Sequence, residues 1–260
     1  MPASYSHYRF GVQILPGLPA DVRRPIQRYR QLFDMGLQGP DFFFYDLHPK
    51  CDSPGLGHRF HYLSGRDFFT PICAALHTDP SEAGLAYLYG LLAHYCLDSH
   101  CHPLIHRFSD PDTLLHNEVE TEFDRFLLIR DGKPRPHAYD RSIHLAFSRE
   151  HCSLIAGFYP PATPEQILRG MQSAQRYTKL LTAKNSIHRN LADKVLRALG
   201  PEKTGLLMHP APNPRCAQLN PELLGQYNQA LAQFPVYLEQ LCSHIAYNAP
   251  LGDEFSAIFG

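Results

Sequence analysis

Apolar residues recur along most of the chain at intervals of three and four, and runs that alternate between polar and apolar positions are short and few. The first spacing is typical of amphipathic helices, whereas strict alternation would indicate strands. The pattern therefore predicts an all-α fold, a multi-helix bundle in which residues 1–260 form a single domain. The predicted helices cover residues 19–36, 66–78, 80–101, 114–130, 141–158, 164–182, 185–198 and 221–246.

Some of these helices have recognisable starts. Thr163-Pro164 and Asn220-Pro221 each place a capping side chain directly before a proline. Proline is favoured in the first turn because its missing N–H would have no partner there, and the capping side chain accepts from a free N–H. Connectors rich in proline and glycine separate the helices, notably at 49–57 and 103–111.

The most informative segment runs from Ala83 to Leu97 and contains no charged residue. A helix without charge over this length is typically buried on nearly all sides. Asp98 follows His94 by four residues, so an imidazole and a carboxylate share one helix face. A buried carboxylate must be paired or must coordinate a cation. Two explanations stay open at this point: the two side chains hydrogen-bond each other, or they bind a metal ion.

A second pair with the same spacing, His116 and Glu120, begins the next predicted helix. Between the two pairs, His102 extends the first face by one turn, and Pro103 is expected to end that helix. Facing pairs of this kind build metal sites in the cores of helical bundles. Asp124 lies one turn beyond the second pair and is expected to orient a ligand from outside the coordination shell. The alternative for this segment is an acidic, solvent-exposed helix face.

Further candidates precede these helices. Asp41 follows a Gly-Pro pair in a predicted turn, His58 and His61 lie just before a predicted helix, and His7 lies in an uncharged N-terminal segment. Each also has an ordinary structural explanation, such as a plain turn residue at Asp41. Imidazole and carboxylate ligands without thiolate suit catalytic zinc, and they are too many for one tetrahedral ion. The candidate ligands of two or three Zn²⁺ ions are His7, Asp41, His61, His94, Asp98, His102, His116 and Glu120.

Composition agrees with a local concentration of ligands, since ten of the 16 histidines lie between residues 7 and 116. The formal net charge of −1 provides no excess of basic residues for a polyanion, so nucleic acid is not an expected partner. The seven cysteines form no Cys-x-x-Cys pair and are expected to be reduced. No signal peptide or transmembrane segment is recognisable. A cytoplasmic protein with at most peripheral membrane contact is expected, and the sequence does not indicate its oligomeric state.

The order and type of these ligands resemble the zinc-dependent phospholipase C family, whose helical fold is shared with zinc-dependent single-strand nucleases. The resemblance covers roughly residues 1–130 and includes the segments SHYRFG, GPD and ETEFDR, which are similar to a bacterial phospholipase C-like branch. It implies a cluster of three zinc ions. The first ion would be held by Asp41, His61, His94 and Asp98, the second by His102, His116 and Glu120, and the third by His7, with Asp98 as a bridge.

The chain departs from the family pattern at three points. The family completes its third zinc with the amino group of an N-terminal tryptophan, and this chain has no tryptophan; a Pro2 amine exposed by removal of methionine is a candidate substitute. The step from Asp98 to His102 is shorter than usual in the family. The sequence also leaves two choices of ligand open, namely His58 in place of His61, and His100 or His106 in place of His102.

The resemblance implies hydrolysis of a phosphoester by metal-activated water, with a phospholipid head group or a small phosphodiester as substrate. Asp41 is the candidate catalytic residue that orients or deprotonates the water. Phe42, Phe44 and Tyr45 are candidates for an apolar substrate-binding mouth, although four consecutive aromatic residues are often part of a core. The alternatives are a helical protein that binds metal without catalysis and a nuclease-like phosphodiesterase.

Overall fold

The chain folds into α-helices joined by short 3₁₀ turns. The computed structural model describes residues 4–109, 114–216 and 218–259. Within these ranges there is no β-strand, and an isolated bridge joins Ser64 to Ile258, so the all-α prediction is confirmed. The helices are α1 (Ser4–Ile14), α2 (Ala20–Arg28), α3 (Arg30–Gly36), α4 (Ser53–His61), α5 (Gly65–Thr78), α6 (Glu82–Phe108), α7 (His116–Arg130), α8 (Cys152–Ala156), α9 (Pro164–Leu180), α10 (Ser186–Leu199) and α11 (Leu219–Tyr247).

The centre of the core is α6, which is buried continuously from Ala86 to Asp98. It packs against α3 on one side and α11 on another. At the α3–α6 contact, a Cβ atom added to Gly90 would lie 2.1 Å from the carbonyl oxygen of Phe33, so the two backbones touch directly. This close approach brings the turn that follows α3 onto the face of α6 that carries His94.

The expected end of α6 at Pro103 is wrong, because the helix continues to Phe108. A proline inside a helix removes one backbone hydrogen bond. Packing of the residues beyond it, such as the buried Ile105, retains the helix despite this loss. As a result, His102 and His106 lie on consecutive turns of the same helix.

Several predicted helices agree with the structure within about two residues, namely those at 66–78, 114–130, 164–182, 185–198 and 221–246. Thr163 forms a full capping box with Gln166 at the start of α9, as the sequence before Pro164 suggests. All seven cysteines are free thiols. Among the described residues, no helix is long and apolar enough to cross a bilayer.

Four further regions differ from the prediction. The helix predicted over 19–36 is broken at Tyr29, and the break allows both α2 and α3 to pack against α6. The helix predicted over 141–158 is replaced by two 3₁₀ turns and the short α8, because Asp140 caps Ser142 and Arg141 turns inward to an ion pair. The local pattern also did not indicate α1 or α4 as helices.

Candidate metal centre

The carboxylate of Asp98 is the hub of a buried cluster of imidazoles. Its Oδ2 atom lies 3.0 Å from Nε2 of His94, one helical turn before it on α6. Its Oδ1 atom lies 3.2 Å from Nε2 of His7 on α1 and 3.8 Å from Nε2 of His102. All four residues are less than 9% exposed. Three imidazole nitrogens therefore point at one carboxylate in the protein interior.

The turn after α3 supplies Asp41 to the same cluster. Gly39 has a φ of +51°, and its backbone lies against the ring of His94, so the turn follows the imidazole without an intervening side chain. Asp41 Oδ1 lies 2.9 Å from Nε2 of His61, at the end of α4. Two groups of potential metal ligands result, each with its atoms within 4.8 Å of one another. They are His61, His94 and Asp98, and His7, Asp41 and His94.

A further group lies one turn along α6 and joins it to α7. Glu120 Oε1 lies 3.3 Å from Nε2 of His102 and 3.2 Å from Nε2 of His116. Glu120 is buried, whereas the side chain of His116 is 31% exposed. This group therefore has one side open to solvent.

In three of these histidines, a hydrogen bond from Nδ1 to a backbone carbonyl turns the other ring nitrogen, Nε2, toward the cluster. Nδ1 of His61 donates to the carbonyl oxygen of Gly57 at 2.7 Å, and Nδ1 of His94 donates to that of Leu37 at 3.2 Å. Nδ1 of His102 donates to the carbonyl of Phe259 at 2.8 Å. Because a carbonyl cannot donate, each Nδ1 carries a proton, so that in the neutral ring the lone pair of Nε2 faces the carboxylates. This arrangement is typical of zinc-binding histidines.

A lone pair facing a carboxylate oxygen at about 3 Å is repulsive unless a metal ion or a ring proton lies between them. Two ligands that are ~2.0–2.1 Å from a tetrahedral ion are themselves roughly 3.3 Å apart. The observed Nε2 to oxygen distances of 2.9, 3.0 and 3.3 Å are at or slightly below that spacing, and the two shorter ones are also hydrogen-bond lengths. In addition, Nε2 of His94 is buried without any hydrogen bond, although it lies near Asp98. The donor set and its spacing therefore fit zinc.

The pKa shifts of Asp98 and His102 also indicate that positive charge stabilises the cluster. Burial by itself would raise the pKa of Asp98, but the imidazoles of His102, His94 and His7 outweigh burial and hold that pKa well below its usual range. Burial would lower the pKa of His102, but the charge of Asp98 and the contact with Glu120 raise it to about 9. Without a metal ion, the cluster would thus retain protons in the place of the cation.

Asp124, expected to orient a ligand, contacts the backbone of α1. It accepts hydrogen bonds from the N–H groups of Tyr5 and Ser6 at 3.1 and 2.8 Å, and Arg141 donates to it at 3.2 Å. A carboxylate at these positions satisfies free N–H groups at the start of a helix and complements its dipole. Asp124 therefore fixes the position of α1 next to His7, without contacting the imidazole.

The structure separates the alternative ligands that the sequence left open. His58 is exposed on the outer side of α4, whereas His61 points into the cluster. Nδ1 of His100 donates to the carbonyl of Cys96, and its ring lies by Tyr237, away from the other imidazoles. His106 is exposed, although its ring lies 5.5 Å from that of His102. The candidate proline amine at the N-terminus, Pro2, lies outside the described residues.

The three predicted mouth residues occupy different environments. Phe42 is 1% exposed and packs edge-on against Tyr159, so it belongs mainly to the core. Phe44 is partly exposed and packs against His61, with the ring centroids 5.1 Å apart. Tyr45 lines a small cavity of about 20 Å³ together with Asp41. The aromatic run therefore contributes both to the core and to the side of the cluster where Asp41 is accessible.

Sequence reasoning did not identify the backbone groups that orient the imidazoles. The carbonyl oxygens of Leu37, Gly57 and Phe259 leave no signal in the sequence, since any residue has a carbonyl. The sequence indicated Gly39 only as part of a predicted turn, not as a residue that contacts His94. Phe259 is the most distant of these groups, being 157 residues after the histidine that it orients.

Comparison with known proteins gives one match. A family model described as zinc dependent phospholipase C matches residues 6–157, which is more than half of the chain. The matched range includes every residue of the three ligand groups. Searches of curated proteins and of solved structures returned no significant match.

Proposed function

Because the chain belongs to the zinc-dependent phospholipase C family, we propose that its clustered histidines and acids bind zinc and hydrolyse a phosphoester. The observation that carries this proposal is the orientation of three buried imidazoles. His61, His94 and His102 each have Nδ1 occupied by a carbonyl and Nε2 directed at a carboxylate. Such an arrangement favours a positive charge between ring and carboxylate, which bound zinc would supply and which a ring proton supplies without it.

The ligand groups support two or three ions. His61, His94, Asp98 and Asp41 would hold one ion, and His102, His116 and Glu120 would hold a second. His7 would hold a third together with Asp98, which lies between His7 and His94. When bound, zinc supplies a Lewis acid that polarises phosphoryl oxygens and lowers the pKa of water toward neutrality.

Asp41 is proposed as the residue that orients the attacking water and accepts its proton. Its side chain is 15% exposed, more than those of the other two carboxylates in the cluster, Asp98 and Glu120. One of its oxygens is 2.9 Å from His61, which fixes the carboxylate in the turn. We propose that the second oxygen binds the attacking water, since Asp41 lines a cavity beside the cluster.

A phospholipid head group or another small phosphodiester is the proposed substrate. Tyr45 and Phe44 provide apolar surface near Asp41, and the net charge of −1 does not favour a long polyanion. The alternative is a non-catalytic protein in which the metal ions only stabilise the helical bundle. It predicts a closed coordination shell. The partial exposure of His116 and Asp41 favours an open, catalytic site.

Replacing Asp98 with asparagine tests the proposal. We expect D98N to lose most of its zinc, as measured by elemental analysis, and at least ~100-fold of its hydrolysis rate, because a hub ligand loses its charge. The control is D79N, which changes an exposed aspartate after α5. The substrates are a short-chain phosphatidylcholine, bis(p-nitrophenyl) phosphate and single-stranded DNA.

The products distinguish the candidate functions. Release of phosphorylated head group and diacylglycerol identifies a phospholipase C activity, and cleavage of DNA alone identifies a nuclease. Zinc-replete wild-type protein that hydrolyses none of the three substrates would support the non-catalytic alternative. A D98N variant with full zinc content and full activity would contradict the assignment of the site.

A further inference from the structure

Helices α9 and α10 expose an unusual amount of apolar surface. On α10, Ile187 is 81% exposed, Leu191 62%, Val195 50% and Leu199 66%, and these residues are spaced four apart. The end of α9 adds Tyr177 and Leu180, which are 40% and 60% exposed. We call these six side chains the α9–α10 surface. Residues at i and i+4 share a helix face, so the α10 members form one continuous strip.

The strip is not required for packing α10 onto the protein. The inner side of α10 is already apolar, because Leu196 is buried with Ala183 and Leu207 in a small separate core. A helix that rests on the surface of a protein normally has polar residues on its outer face. Exposed apolar residues that lie together rather than singly indicate a binding surface.

Basic residues are concentrated in the same part of the chain. Residues 176–203 contain seven of the 24 lysines and arginines but only two of the 25 acidic residues. Lys179, Lys184 and Lys194 are exposed, while Arg197 pairs with Asp193 at 2.8 Å. In a chain whose net charge is −1, residues 176–203 thus form a positive region, and this region contains the apolar strip.

The α9–α10 surface is continuous with the candidate metal centre. The ring of Tyr177 stacks on that of Tyr45, with centroids 6.3 Å apart. Met171 and Ala174, earlier on α9, line the same small cavity as Asp41. A ligand held against α9 and α10 would therefore lie beside the accessible side of the cluster.

We propose that the α9–α10 surface docks on the face of a bilayer that contains anionic phospholipid. An apolar strip bordered by lysines is the feature that interfacial helices use, with the strip entering the acyl boundary and the lysines contacting head groups. A second copy of this chain is a poorer occupant, because it would bring the same positive charge to the contact. The role of this docking rests on the proposed function, since it places the metal centre at its phospholipid substrate.

Vesicle sedimentation tests the docking without relying on activity. The zinc-loaded protein is mixed with phosphatidylcholine vesicles that contain 30% phosphatidylglycerol, and in parallel with pure phosphatidylcholine vesicles. We expect binding to the anionic vesicles, weakened by added salt, and at least tenfold weaker binding to the neutral ones. The double variant I187Q/L191Q is expected to bind anionic vesicles at least tenfold more weakly, since glutamine retains the helix and removes the apolar contact.

The matched control is V12Q/V236Q, which changes two exposed valines on other helices and should bind as the wild type does. Hydrolysis of a monomeric, water-soluble phosphodiester should be equal in all three proteins. The docking proposal would be overturned if the wild-type protein bound neither kind of vesicle. It would also be overturned if I187Q/L191Q bound anionic vesicles as well as the wild type does. A wild-type dimer that the I187Q/L191Q changes dissociate without altering vesicle binding would overturn it too. Vesicle binding without hydrolysis of any phosphoester would retain the docking and reject the proposed function.

Discussion

At the scale of single residues, Gly39 meets two requirements that no other amino acid meets together. Its φ of +51° lies in the left-handed region, which is costly for residues with a side chain. A Cβ atom at this position would also lie 2.3 Å from Cδ2 and Nε2 of His94. The glycine therefore permits both the turn that presents Asp41 and the position of the imidazole.

Substituting Gly39 with alanine is expected to displace His94 and weaken zinc binding at least tenfold. The backbone conformation alone should cost ~1–2 kcal/mol of stability, and the contact with the imidazole adds to it. G132A is the matched control, because Gly132 also has a positive φ, of +74°, but a Cβ atom added there would have nothing within 4 Å. Thermal unfolding and zinc titration of both variants separate the two effects. Equal zinc affinity in G39A and G132A would contradict the role of the contact.

The sequence alone was enough to predict the pairs of site residues that lie four positions apart on one helix. His94 with Asp98, and His116 with Glu120, converge because a separation of four residues places them on one face whatever the rest of the fold does. The choice of His61 over His58 could not be made in advance. That choice depends on the rotation of α4, which is determined by its packing against the aromatic residues after Asp41 rather than by its own sequence.

At the scale of elements, the segment after α11 contacts the candidate metal centre. It returns to α5 and α6, where the N–H of Gly65 donates to the carbonyl of Ala257 at 2.9 Å. The hydroxyl of Tyr95, on α6, contacts the same carbonyl at 2.9 Å and that of Glu254 at 3.1 Å. These contacts position the carbonyl of Phe259 that accepts from His102.

Replacing Tyr95 with phenylalanine should therefore make the orientation of His102 less well fixed, although Tyr95 does not contact His102. We expect a loss of ~1–2 kcal/mol of unfolding free energy, since a buried hydrogen bond is removed. Amide exchange in residues 253–259 should accelerate, and zinc affinity should fall severalfold. Y87F is the control, because the Tyr87 hydroxyl contacts that of Tyr159 at 2.8 Å, remote from this segment. Faster exchange in Y95F with unchanged zinc affinity would show that the segment does not position His102.

The helices that the sequence indicated are those whose ends are defined locally. α9 begins at a capping box, and α11 carries apolar residues along most of its length. In contrast, α1 depends on Asp124, which lies 118 residues later than Ser6 and accepts from its N–H. The segment around Arg141 has helical spacing, but its inward ion pair with Asp124 imposes separate turns. The structures of α1 and of the segment around Arg141 therefore depend on contacts with residues far away in the chain. Such contacts cannot be read from the local sequence pattern.

At the scale of the whole molecule, the fold collects three carboxylates in one interior region, where a positive charge is needed to stabilise them. Asp41, Asp98 and Glu120 come from the turn after α3, from α6 and from α7. Bringing these negative groups together from separate elements is unfavourable without a positive charge among them. Protons on the imidazoles provide this charge in the metal-free protein, and zinc provides it in the loaded protein. Protons and zinc should therefore compete.

The competition predicts how zinc affinity depends on pH. The pKa of His102 is raised to about 9, above its ordinary value of 6.5, so the imidazole is protonated in the metal-free protein at neutral pH. The stabilisation from that proton is complete below pH ~6.5 and is lost as the pH rises through ~9. Zinc requires the neutral ring, and its affinity should rise by up to ~tenfold per pH unit per displaced proton across this window.

Titration against a competing chelator at pH 6.5, 7.5 and 8.5 measures this dependence. Calorimetry in two buffers of different ionisation enthalpy counts the protons that binding releases. The variant H100Q, which changes a histidine on the same helix that is hydrogen-bonded to Cys96, should retain the wild-type slope. The variant H102Q should bind less zinc and show a shallower slope, because one displaced proton is removed. An affinity that stays constant from pH 6.5 to 8.5, with no proton release, would mean that the carboxylates are not neutralised through His102.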